Sequence, residues 1–437
     1  MHKNRFKGSG RPADSEKVAR NVAKPADRRS GWSGRSGSGR FGWWAVALTA
    51  AIVATGMAYT ELWEPVVHHL HHPLIPADFS QTLEDARVIG RGRLFRVYSD
   101  HAQLVTLPGY ALLLAPVATA GRLLHLHQPW LLAGPFALAT AWPALFGMDR
   151  LAAALGAGEG RRRVLLAAGA VAVWPTLVLW GHPEDVLAVG LCCLCLAAVI
   201  DGRWRAAGWF LGAALAAQLL ALLVVPVVLA AAGRDRIRRV APRAAAVPAV
   251  LATAVVLPDL SAAWSALTNQ PNYPLVDHPT PWILLSPSLG PGTVAAGPAR
   301  LLGLLVAACC GVAAYRSARR GAAGLPPARL VWLAAVAFSA RCLFEAVMDP
   351  YYVMPAVVLT LVLASREHGS RSAVAGLVCL ALTVDTAESF GMWTYWLVMA
   401  VLIGVAMAAV AAPGRDPATR AGGDRRRRAE PSPALTS

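Results

Sequence analysis

Three groups of residues have the types and spacing to do chemistry. Asp78 opens an amphipathic stretch in which Phe79, Leu83, Ala86 and Ile89 or Gly90 share one helical face. Gln81, Glu84, Asp85 and Arg91 lie mostly on the opposite face. A carboxylate there can take a proton from a hydroxyl. With Gln81 three residues on, it also fits a capping box. His182, Glu184 and Asp185 gather at the start of an apolar run, where they can bind hydroxyls or assist a base. Pro183 and the two acids suit a plain helix start equally well. Arg341 and Glu345 sit one turn apart in another apolar run, about eight residues or ~12 Å of helical rise from Asp349. An ionisable residue at that depth faces a bundle interior or a wet cavity. A guanidinium grips two phosphate oxygens at once. The plainer alternative is an Arg341–Glu345 pair that satisfies itself.

Other polar clusters are weaker. Arg87, Arg91, Arg93 and Arg96 form a row suited to phosphate or to lipid headgroups. His68, His69, His71 and His72 invite a metal, yet no nearby Cys or second His pair completes a tetrahedral set. They read as a solvated interfacial loop. All seven cysteines (Cys192, Cys193, Cys195, Cys309, Cys310, Cys342 and Cys379) fall in apolar runs without a CxxC pair, as packing residues do. No metal site and no cofactor is assigned.

The elements that must position these groups are membrane helices. Of 437 residues, 56% are hydrophobic and 15% charged, against roughly a quarter charged in a soluble domain. Mean hydropathy is +0.47. That composition excludes a disordered chain and argues against a soluble globule. The net charge is +16, but residues 1–40 supply +8 of it and residues 412–437 another +3. Basic tails flanking an apolar chain read as cytoplasmic anchors, not as a nucleic-acid surface. The spacing predicts an all-α polytopic bundle over 43–411, between disordered basic tails at 1–42 and 412–437. Twelve segments are expected near 43–60, 129–147, 164–180, 186–200, 206–218, 219–232, 244–257, 299–315, 330–348, 351–365, 373–387 and 393–411. Arg150 with Arg161–Arg163, Arg203/Arg205, Arg234–Arg243, Arg316–Arg329 and Arg366/Arg371 fall in alternate loops, so both termini are placed inside. Residues 61–128 become a large first external loop, with 102–124 as a re-entrant or interfacial helix. Gly208-x-x-x-Gly212 is assigned to helix packing.

Several of these stretches resemble the GT-C superfamily of integral-membrane glycosyltransferases, and most closely the bacterial polyprenyl-phosphate-mannose-dependent mannosyltransferases. Asp78-Phe79, Ala86-Arg87, Gly92 and Tyr98 follow the order of that family's first external loop. Trp180-Gly181-His182-Pro183-Glu184-Asp185, then Asp201-Gly202-Arg203-Trp204 and on to Pro226, is similar to its middle segment, with Gln218 where a Lys or other polar residue is common. Arg341 followed by Asp349-Pro350-Tyr351-Tyr352 is the third likeness. The resemblance covers roughly residues 43 to 365. It implies Asp78 as general base and Arg341 on the donor phosphate. Arg87, His182, Glu184, Asp185, Gln218, Tyr351 and Tyr352 become substrate-binding candidates.

The implied activity moves a sugar, mannose foremost, from a polyprenyl-phosphate donor to a cell-envelope glycolipid or glycan outside a bacterial plasma membrane. The implied partners are that donor, that acceptor and the membrane lipids. No Asp-x-Asp pair is present, so no metal is implied. A transporter or flippase for a lipid-linked molecule is a second class, although no half-length repeat supports it. Thr82 stands where the family usually has Tyr, which keeps an inactive assembly partner as a third.

Overall fold

A segment crossing a lipid slab must bond every backbone N–H and C=O within itself, so apolar runs of this length fold as helices. The computed structural model describes residues 77–100, 107–126, 130–274, 278–320, 324–367, 369–383 and 393–411, and they are mainly helical. The two basic tails, the expected first span at 43–60 and the cluster His68–His72 lie outside the described residues.

The chain runs through α1 (Ala77–Gly90), α2 (Gly109–Leu123), α3 (Trp130–Ala154), α4 (Glu159–Trp174), α5 (Pro183–Ile200) and α6 (Trp204–Ala217). It continues with α7 (Val225–Val255), α8 (Leu260–Thr268), α9 (Arg300–Arg320), α10 (Pro327–Leu343), α11 (Met354–Ala364), α12 (Ser370–Thr383) and α13 (Thr394–Ala411). Among the described residues five stretches are long and apolar enough to cross a membrane: Glu159–Leu179, Pro183–Ile200, Leu219–Thr268, Arg300–Arg320 and Thr394–Ala411. The third is broken at Gly233, whose φ of 62° only glycine adopts cheaply.

Small residues let the helices touch backbone to backbone, the usual route to packing in lipid. A Cβ on Gly190 of α5 would lie 2.6 Å from the backbone of Ala144 on α3. Gly208 and Gly212 on α6 meet the Val240, Arg243 and Ala244 backbone of α7 in the same way. The segment holding Asp78 is clamped by apolar burial. Phe79, Leu83, Ala86 and Ile89 of α1 pack on Tyr110, Ala111, Leu114 and Ala115 of α2. Gly109 carries α2 so close to α6 that a Cβ would sit 2.3 Å from the Ala216 carbonyl oxygen.

Two local features depart from the sequence expectation. Between α8 and α9 lies a three-stranded antiparallel sheet of β1 (Pro271–Asn272), β2 (Ser288–Gly290) and β3 (Thr293–Ala295), ordered β1-β3-β2. The span expected over 330–348 also stops at Leu343. The loop around Thr280 takes over the backbone groups that a longer helix would have bonded. Trp282 Nε1 donates to the Leu343 carbonyl at 2.6 Å, Thr280 N donates to Ala346 O at 3.1 Å, and Met348 N donates to His278 O at 2.7 Å. Arg341 and Glu345 therefore do not share a helix.

Candidate functional site

A cavity of about 460 Å³ lies between α1, the α4–α5 turn, the α6–α7 break, the β-sheet and the end of α10. Its polar lining includes Asp78, Gln81, Thr82, Asp85, His182, Glu184, Gln218, Arg300, Arg341, Glu345, Asp349, Tyr351 and Tyr352. Leu219, Leu220, Leu222, Leu223, Leu267 and Leu304 also line the cavity. Leu222, Leu267 and Leu304 are exposed at its edge.

Local structure aims each polar group. Asp78 is in the first turn of α1, one residue past its start, and its Oδ2 lies 3.0 Å from His182 Nε2. The capping reading is thus replaced by an interaction with a residue 104 positions away. Positions 78, 82 and 85 line one side of the helix, spaced by four and three residues. This spacing also buries Asp85, which the amphipathic pattern placed on the polar face. Burial, with the charges of Glu84 and Glu184, pushes the Asp85 carboxyl up to about 7.

His182 hangs on an irregular turn. The chain leaves α4 through a single π-helical segment, Pro175–Leu179, and turns at Gly181 with φ of 70°. The His182 N–H then donates to Thr176 O at 2.8 Å, and Pro183 fixes the first turn of α5. The imidazole bridges two carboxylates, with Nδ1 2.8 Å from Glu184 Oε1, and stacks on Tyr351 at 4.0 Å between centroids. Burial opposes its protonation. The hydrogen bonds to Asp78 and Glu184 and the charges of Glu184 and Asp185 outweigh that, and its pKa rises to about 10.

Arg341 donates from Nη1 to Asp185 Oδ2 at 3.0 Å and lies over the Tyr352 ring at 4.1 Å. Glu345 instead accepts from Arg300 Nε, while Arg300 Nη2 donates to Gln270 Oε1 at 2.8 Å. The self-satisfying Arg341–Glu345 pair is therefore replaced by two longer-range pairs. Gln218 accepts from Leu219 N at 2.9 Å, capping the 3-10 turn Leu219–Val224 at the break between α6 and α7. Trp180 Nε1 and Glu184 Oε2 are buried without a partner among the described residues, and a bound polar ligand can satisfy such groups.

Of the residues singled out from sequence, Asp78, His182, Glu184, Gln218, Arg341, Tyr351 and Tyr352 line this one cavity, and Asp185 stands behind it on Arg341. Arg87 is not among them. Its Nη1 donates to Glu84 at 2.9 Å, and it lines a separate 280 Å³ pocket between α1 and α2. Arg87 leaves the shared face because it stands two positions after Asp85 on a helix. Arg300 and Gln270 were missed: Arg300 opens the run 299–315, read only for hydropathy, Gln270 lies in the loop before it, and no local motif marks either. Among the described residues no group of three or more His, Cys, Asp or Glu is arranged to hold a metal ion. No protein-family model matches the chain, and no curated protein matches it either.

Proposed function

We propose that this chain is a membrane glycosyltransferase that moves a sugar from a polyprenyl-phosphate donor to an envelope glycolipid or glycan. One observation carries the reading. Asp78, His182, Gln218, Arg341 and Tyr351, spread over more than 270 positions of the sequence, converge on one cavity whose lining combines these polar groups with a set of leucines. The lining leucines suit a prenyl chain, and Arg341 and Arg300 supply cations for its phosphate. The partnerless groups of Trp180 and Glu184 suit sugar hydroxyls.

In this mechanism His182 holds Asp78 by one carboxylate oxygen, and the side chain remains 46% exposed to the cavity. The carboxylate accepts the proton of the acceptor hydroxyl as that oxygen attacks the sugar C1. The bond from C1 to the phosphate oxygen breaks, and polyprenyl phosphate departs with the electron pair beside the guanidinium groups. The topology in this reading is twelve crossings with both termini inside and the cavity at the outer face. Residues 102–124 stay on that face.

The test is Asp78→Asn. The amide keeps a hydrogen bond to His182 but cannot take the proton. Protein level and membrane insertion should stay normal while transfer in membranes falls by roughly 10²-fold or more. An Asn variant with normal turnover would remove the base and leave the assembly-partner reading. Glycan profiling of a deletion strain separates transport: a truncated glycolipid supports the transferase, and an intact, mislocalised precursor overturns it.

A further inference from the structure

A second pocket lies at the other end of α9. Arg300 at the start of this helix lines the cavity, and Arg320 at its end lines a cleft of about 820 Å³ shared with α10. The 21-residue helix rises about 30 Å, the thickness of a bilayer core. The two pockets therefore open at opposite faces of one membrane slab.

The cleft is graded along its length. Cys309 and Val312 form an apolar stretch within the helix, and Arg316, Ser317 and Arg320 follow at helical spacing toward its end. Arg329, at the start of α10, closes the other side and stacks over Trp332 at 4.4 Å. Arg316, Arg320 and Arg329 are exposed, and no Asp or Glu is among the described lining residues. Three guanidinium groups beside an apolar groove, at the level where a span leaves the hydrocarbon, match the boundary between an acyl chain and a charged headgroup.

We infer that this cleft binds an anionic phospholipid of the leaflet opposite the cavity. Its phosphodiester lies on Arg316, Arg320 and Arg329, and one acyl chain lies along Val312 and Cys309. This site depends on the chain spanning a membrane and not on glycosyl transfer.

Cys309 is the built-in probe, since it is exposed and the other six cysteines are buried. The purified full chain, labelled at Cys309 with bimane, goes into phosphatidylcholine nanodiscs carrying a fraction of brominated phosphatidylglycerol or of brominated phosphatidylcholine. Brominated phosphatidylglycerol should quench at roughly tenfold lower mole fraction, given the attraction of arginines near a surface for anionic lipid. In the Arg316→Gln/Arg320→Gln variant the two lipids should quench alike, with size-exclusion behaviour unchanged. Equal quenching in the parent protein would overturn the site, as would a preference that survives in the double variant. A preference abolished by millimolar inorganic phosphate would assign the arginines to a free anion and overturn the lipid assignment.

Discussion

His182 joins two carboxylates that the chain keeps 104 and two residues from it, and its titration follows from that position. Its folded-state pKa, about 10, lies above the ordinary 6.5. The resulting stabilisation is fully present below 6.5 and is lost as pH rises through 10. Thermal stability in detergent should fall between pH 7 and 10, and His182→Gln should flatten that slope; an unchanged slope would remove the charged bridge. Arg341 offers a second measurement. Arg341→Ala strands Asp185, which is wholly buried, and should cost about 3–5 kcal/mol. Arg341→Lys should keep the fold and lose donor use, because an ammonium lacks the two-pronged grip. A Lys variant with full turnover would make the pair structural. Arg341 stood out in the sequence because a guanidinium is rare in an apolar run, whereas Asp78 stood out through the resemblance of its loop, its spacing alone favouring a helix cap. Their partners were not legible. Which carboxylate meets which arginine depends on where α10 ends, and that is decided by Trp282 and Thr280, some sixty residues earlier.

At the scale of elements, hydropathy marked the mainly helical character, because a dry segment has few alternatives to α structure. It did not mark the boundaries, since the arginine-bearing stretch 234–243 expected as a loop lies inside α7, and five described stretches rather than twelve are long and apolar enough to cross. The sheet escaped notice since its strands are two or three residues long and show no alternation. Asp85 was misplaced for a related reason: a two-faced helical pattern has no category for a third face turned to a cavity. The packing of α1 on α2 can be measured. Leu83→Ala should destabilise that docking by about 2–5 kcal/mol and increase hydrogen exchange in α1. Exchange equal to the parent's would mean that α1 is held by the Asp78–His182 bond alone. Gly212→Leu has no room against Arg243 and Ala244, so expression should fall sharply while Gly404→Leu, whose Cβ position is open, is tolerated.

For the whole molecule, orientation rests on the arginine-bearing loops, and two of these meet in space. Arg161 donates to the carbonyls of Arg366 and Glu367, which puts the ends of α4 and α11 at one face. In a Cys309→Ser background, Leu113→Cys should react with an impermeant maleimide from outside, and Gly160→Cys only after permeabilisation. Labelling of Gly160→Cys from outside, with Leu113→Cys unlabelled, would overturn this topology and make 102–124 a crossing. The contact of Gly109 with Ala216 has a consequence for the order of synthesis. Residues 77–123 leave the ribosome while α6 is still unmade, so their final berth does not yet exist. The segment carrying the proposed base must therefore wait through the synthesis of some ninety further residues before it can be seated. Ribosome-arrested chains that end before Trp204 should expose α1 and α2 to protease, and chains carried past Val224 should shield them.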